Sequence, residues 1–380
     1  MTKIIGPSTL YITGSEHVDF NAPVINTSLS TTASDHPAIS GLKPRSASQK
    51  PATEDPRDDA ATIIQSAFRG SQVRANMVSV KQPVPGMIKT KIHGGFKGAR
   101  PEGTALTDIL NKLQDGATYT RLAVLCGAKS GMVIGTENGE DAQLPKELSQ
   151  HAPPSSAVIN GGYFVHKKKL RIDGNPDGVS AVKSDLGRPV GPTATRTDHV
   201  PVAPAWEHDN GQLRHANGQV AVTSGPILAL NGQQTKLGNA DRFQYLLEGK
   251  DNPLNKLAGA LTHASDANER AAFSVLHDES NAPTDAVFHT LTANGQRSKG
   301  VKMEDWQTIT GVGADPSGTR TGATKNAKVS TLNLDGGGSV FLGIRNEQGV
   351  TQIARGGDPK EDVRPVANVI AANSTVGGKQ

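Results

Sequence analysis

Forty-two glycines and 23 prolines punctuate this 380-residue chain. Punctuation that dense favours a loop-rich β or α+β fold over a helical bundle. Apolar residues make up 35% and aromatics 4%, lean for a chain folded throughout. Part of it is therefore expected to be disordered. No apolar run reaches the roughly 18 residues needed to cross a bilayer as a helix, so no membrane span is expected. Cys126 is the single cysteine, which excludes a disulfide scaffold and a cysteine-based zinc site and fits a reducing compartment. The net charge of +4 is a small excess of 40 Lys and Arg over 36 Asp and Glu. The densest basic run, Lys167-Lys168-Lys169, reads as a solvated hairpin tip, so no nucleic-acid partner is expected.

Three regions follow from composition. Residues 1–55 are rich in Ser, Thr, Ala and Pro and read as disordered. Gly6, Pro7, Ser8 and Thr9 separate Ile4-Ile5 from Leu10, so no continuous apolar core of a secretory signal forms. With many hydroxyl residues and no acid before Glu16, this start resembles the export signals of bacterial type III effectors. Residues 56–85 read as a helix and a linker. Pro56 and the acids Asp58 and Asp59 suit a helix start, and Pro83 and Pro85 end it. Residues 86–375 read as one α+β domain with a mixed sheet. Strands are expected over 121–126, 132–135, 157–159, 219–223, 286–291, 331–334 and 340–344. Helices are expected over 105–114, 146–151, 241–247 and 303–308.

Ile64-Gln65, Arg69-Gly70 and Arg74 match all five positions of IQxxxRGxxxR. This resembles the IQ motif that binds calmodulin. Ile64 and Phe68 would anchor in an apolar groove, with Gln65 beside them. Arg69 and Arg74 would meet an acidic rim. Because calmodulin is eukaryotic, the resemblance implies a bacterial protein secreted into the host cell, where the segment reports arrival in the cytosol. A helix docked on its own domain is the plainer alternative.

Four segments carry a second pattern: Asn160-Gly161-Gly162-Tyr163-Phe164, Ser224-Gly225-Pro226-Ile227-Leu228, Asn333-Leu334-Asp335-Gly336-Gly337-Gly338-Ser339 and Arg364-Pro365-Val366-Ala367-Asn368. In this order they resemble the phosphodiester glycosidase family, over about residues 115–372. The resemblance implies a hydrolase that cleaves a glycosyl phosphodiester or a related sugar–nucleotide bond. The family's HPRTAIG strand is matched by Arg270-Ala271-Ala272-Phe273, but the spacing back to His263 is stretched.

The chemistry of the residues agrees. Cleavage at an anomeric carbon builds oxocarbenium-like charge, which a carboxylate supports as nucleophile, base or counter-charge. Asp335, before three glycines, is the first candidate. Gly336, Gly337, Gly338 and Ser339 can turn backbone N–H groups toward an anion. Arg270 would grip phosphate oxygens, since guanidinium binds them in a bidentate fashion. Asn160 joins the catalytic set as an amide that can orient sugar hydroxyls or the phosphate. Asn333, Gly161, Gly162 and Gly225 would line the substrate. Asp173 and Asp177 are candidate second carboxylates, and an oxygen-ligated divalent cation near Asp335 is the candidate cofactor. A catalytically inactive calmodulin-binding module is the rival reading, and an envelope glycosidase with a chance IQ match a third.

Overall fold

A computed structural model of the chain describes residues 1–14, 78–95, 105–126, 131–166, 169–172, 175–180, 186–202, 211–238, 261–278, 280, 282–314 and 328–375. A six-stranded sheet runs in the order Thr2–Ser8 (β1), Gly131–Thr136 (β6), Asn368–Asn373 (β19), Ser156–Asn160 (β7), Phe341–Asn346 (β17) and Gly349–Arg355 (β18). An eight-stranded sheet runs Gln233–Gln234 (β13), Ile227–Leu230 (β12), Lys328–Asn333 (β16), Arg270–His277 (β14), Pro283–Thr292 (β15), Thr118–Leu125 (β5), Met87–His93 (β4) and Val78–Lys81 (β3). Val220–Ser224 (β11), Gly211–His215 (β10) and Leu10–Gly14 (β2) make a third sheet, and Lys169–Ile172 (β8) pairs with Asn175–Ser180 (β9). The α-helices among the described residues are Ala105–Lys112 (α1), Pro145–Ser149 (α2) and Met303–Ala314 (α3).

Alternation within the strands sorts the side chains into three cores. Between the sheets lie Met87, Leu122, Phe273, Phe288 and Leu332 from the eight-stranded sheet. They meet Val133, Ile159, Leu342 and Ile370 from the six-stranded sheet, and Leu10, Ile12, Leu213 and Val222 from the three-stranded one. On the outer face of the eight-stranded sheet, Tyr119, Leu291 and Ile92 pack under Ile109, Leu110 and Trp306 of α1 and α3. On the outer face of the six-stranded sheet, Ile134 and Val158 pack against Leu148 of α2. No helix among the described residues is long and apolar enough to cross a membrane.

This corrects the expected fold class. The described residues are mostly β, and every pairing between the named strands is antiparallel rather than mixed. The α+β expectation leaves several short strands between glycines, including β4, β10, β12, β18 and β19, as connections. β4, β10, β12 and β19 each also take a partner distant in sequence, which local pattern does not reveal, whereas β18 pairs with β17 across a short hairpin.

The expected disorder of the N-terminal tail is also corrected over residues 2–14. Thr2↔Thr136 through Ile5↔Val133 pair β1 with β6, and Leu10↔His215 through Gly14↔Gly211 pair β2 with β10. Leu10 and Ile12 are buried. Gly6 and Pro7, which hide the strand pattern, fall at a register irregularity between Ile5 and Ser8. Proline lacks an N–H and is tolerated at such a site on an edge strand. Ile64, Gln65, Phe68, Arg69 and Arg74 lie outside the described residues, as do 15–55 and the expected helix over 241–247.

Candidate active site

β16 ends at Asn333, and the chain then turns through Leu334–Gly338 into β17. The turn needs its glycines. Gly337 has φ of +58°, in the left-handed region where a Cβ is strained. Glu269 fixes it from below: its carbonyl accepts from Gly337 N at 3.0 Å. A Cβ on Gly336 would lie 2.6 Å from that same oxygen.

The Asn160-Gly161-Gly162 corner of β7 meets this turn. Asp335 N donates to Gly161 O at 3.1 Å, and Asn160 Nδ2 donates to Asp335 O at 2.8 Å. Asn160 Oδ1 accepts from Phe341 N at 3.0 Å. Asn160 is thus a clamp on both ends of the turn, with its amide engaged by backbone. Gly161 allows the approach of Asn368, whose Oδ1 would sit 1.7 Å from an added Cβ. Gly162 N donates to that Oδ1 at 3.3 Å.

Asn333 and Tyr163 complete the floor. Asn333 Nδ2 donates to Tyr163 Oη at 2.9 Å and to Gly225 O at 2.8 Å, while Tyr163 Oη donates to Gly225 O at 2.8 Å. Burial, with the Asp335 charge adding to it, raises the Tyr163 pKa well above its ordinary value, so the phenol stays protonated.

Two buried acceptors in this assembly have no hydrogen-bond partner: Asp335 Oδ2 and Asn333 Oδ1. Buried polar atoms are almost always paired, so each calls for a donor such as a water or a sugar hydroxyl. Burial pushes the Asp335 pKa up to about 6, against three opposing pulls. These are the hydrogen bond from the Ser339 hydroxyl, the Arg364 charge and the Gly336 N–H. Arg364 is half-buried, and its Nη1 donates to Ser339 Oγ at 3.2 Å. It also lies against Gly338, where a Cβ would come 2.8 Å from Nη2. Arg364, Ser339 and Asp335 thus form one chain of polar contacts.

The structure gathers Asp335, Gly336–Ser339, Asn160, Gly161, Gly162, Gly225 and Asn333 into one place. Arg270 it engages otherwise. Its buried guanidinium donates to the carbonyls of Val301, Thr262, His263 and Asp266 at 2.6 to 3.1 Å, tying the 262–266 loop to the start of β14. The cation that touches the Asp335 turn is Arg364. Asp173 lies outside the described residues. Among the described residues, no group of three or more His, Cys, Asp or Glu side chains converges as a metal site needs.

Sequence reasoning missed two residues. Arg364 is visible as the first residue of its motif, but its pairing with Ser339 needs the fold. Glu269 gives no signal in sequence. Buried, it accepts from Ala293 N at 2.7 Å and Gly295 N at 3.3 Å through Oε1, and from Gly357 N at 2.7 Å through Oε2. One carboxylate therefore ties two loops beside the glycine turn.

No family model matches this chain, and no curated protein does. Among solved structures, a protein of Burkholderia pseudomallei K96243 described as exported aligns at 11% identity. The alignment covers 84% of this chain and 88% of that one, with a TM-score of 0.34. A likeness that slight carries no argument about fold or function.

Proposed function

We propose that this chain hydrolyses glycosyl phosphodiesters or related sugar–nucleotide bonds. The observation that carries the reading is the unpartnered, buried Asp335 Oδ2 on a glycine turn, linked through Ser339 to Arg364. In this mechanism Oδ2 accepts a proton from a water that attacks the anomeric carbon. The bond from that carbon to the phosphoester oxygen breaks, and the phosphate monoester leaves with the electron pair. Phosphate is a good leaving group, so charge neutralisation by Arg364 matters more than a general acid. The products are the free sugar and a phosphate monoester. Asn333 Oδ1 accepts from a sugar hydroxyl, which gives the site a reason for its second unpaired acceptor.

Mass spectrometry of host-cell metabolites incubated with the protein tests this reading, by the loss of a sugar phosphodiester. Arg364→Gln is expected to lower turnover on the order of 100-fold, the usual cost of removing one charge-stabilising contact. Near-normal turnover in that variant would remove Arg364 from the mechanism.

The reading places the protein in a bacterium that delivers it to host cytosol, with calmodulin bound by residues 64–74. It rests on the five matching motif positions. Replacing Ile64 and Phe68 together by Ala removes both apolar anchors and is expected to abolish co-elution with calmodulin. Undiminished co-elution of the double variant excludes this partner assignment.

A further inference from the structure

The register of the β3–β4 hairpin sets like charges against each other. Lys81 and Lys89 are direct cross-strand partners, and Lys91 lies two residues further along the same face of β4. Directly opposed residues have Cβ atoms about 5 Å apart, and like charges there destabilise a sheet. The usual remedy is a neighbouring carboxylate. Among the described residues, none of the three lysines makes an ion pair.

These side chains are not a fully solvated fringe. Lys81 is exposed, but Lys89 and Lys91 are half-buried. They share the inter-sheet face with Met87, which is fully buried. Lys91 Nζ donates to the carbonyl of Ile353 in β18 at 3.2 Å, so the edge of the six-stranded sheet walls the cluster on one side. Burial first, then the charges of Lys91 and Lys81, lower the Lys89 pKa. The next strand adds an unpaired donor. Thr120 is the register partner of Lys91 on β5, 1% exposed, and its hydroxyl has no hydrogen-bond partner. Arg121, the next residue, belongs to the opposite face, where its guanidinium donates to Gly313 O.

We propose that this corner between β3–β4 and β18 binds a multiply charged phosphate anion, of the pyrophosphate or polyphosphate-ester type, through Lys81, Lys89, Lys91 and the Thr120 hydroxyl. Three ammonium groups supply donors only and the hydroxyl can add one more, which suits a compact ligand made of acceptors. The half-buried placement of Lys89 and Lys91 beside a backbone wall favours a small anion over an acidic polypeptide. Within the eight-stranded sheet, β5, β15 and β14 stand between β4 and β16, so the lysines do not reach the glycine turn, although β18 runs on from Ile353 to Gly356 and Gly357 beside that turn.

Thermal melting with inorganic pyrophosphate tests the proposal. The wild-type protein is expected to gain about 5 °C at saturating ligand. Lys89→Gln/Lys91→Gln should fold without ligand at an equal or higher melting temperature, since repulsion is relieved, and should lose the gain. Lys81→Gln, at an exposed position, should weaken it. Arg364→Gln, which removes the phosphate contact at the glycine turn, should retain it in full. The proposal fails if the wild type gains nothing, if the double lysine variant gains as much, or if sodium chloride at matched ionic strength or polyglutamate gives the same rise.

Discussion

Deleting residues 1–14 is expected to unfold the protein rather than trim it. The deletion strips Leu10 and Ile12 from the central core, where their exposures are 4% and 5%. Burying each is worth about 1.5–3 kcal/mol. It also removes β1 from the edge of one sheet and β2 from the edge of another, baring β6 and β10. Together these losses are comparable with the roughly 5–15 kcal/mol that holds a whole domain folded. Urea or thermal denaturation followed by circular dichroism should show no cooperative transition at 25 °C, or one shifted far down. A truncated chain that melts like the full one would show that the two strands add nothing. A single change gives a graded version: Leu10→Ala should cost about 2–5 kcal/mol. The Gly131 backbone sits so close to Leu10 that a Cβ there would lie 2.1 Å from Cδ1.

The second large effect is at Asp335. Asp335→Asn is expected to lower sugar-phosphodiester turnover at least 100-fold, because an amide cannot take a proton from water. Stability should move the other way. The folded pKa of about 6 lies above the ordinary carboxylate value of 3.8, so folding favours the protonated form. The ionised carboxylate therefore costs stability above about pH 6, and the cost fades as pH falls toward 4. A rise from 3.8 to about 6 corresponds to about 3 kcal/mol. Asp335→Asn should thus be more stable than wild type at pH 7.5 and indistinguishable from it near pH 4. Turnover by the wild type should fall below about pH 6 as the base is protonated. Full activity in the Asn variant removes Asp335 from catalysis, and equal stability at both pH values shows that its carboxylate is not strained.

Much of the glycine corner was legible because its constraints are local. A run such as Asp335-Gly336-Gly337-Gly338 after an apolar strand announces a tight turn with a carboxylate at its mouth, and the chain turns there. The seven expected strands each overlap a strand in the fold, and three of the four expected helices overlap α1, α2 and α3. What stayed hidden depends on distant partners. Arg270 reads in sequence as a phosphate grip, but the carbonyls of residues 262–266 crowd the start of β14 and take its guanidinium. Arg364 lies far along the chain and reaches Ser339 only because β17 and β18 return the backbone to the turn. Nothing in Thr2–Ser8 reveals that β6 is its partner, and Gly6-Pro7 masks the alternation.

The placing of β1 and β2 also sets an order of events during synthesis. Ile12 leaves the ribosome well before its cross-strand partner, Leu213. At about 5–20 residues per second, at least about ten seconds separate the two. The partner of Ile4, Ile134, also emerges long after it. Pairings this distant slow folding as well, because the chain must close large loops before the contact rewards it. Residues 2–14 therefore wait long after they are made before their partners exist. Until those partners arrive, this segment stays open to whatever recognises it, and once folded it is closed into two sheets.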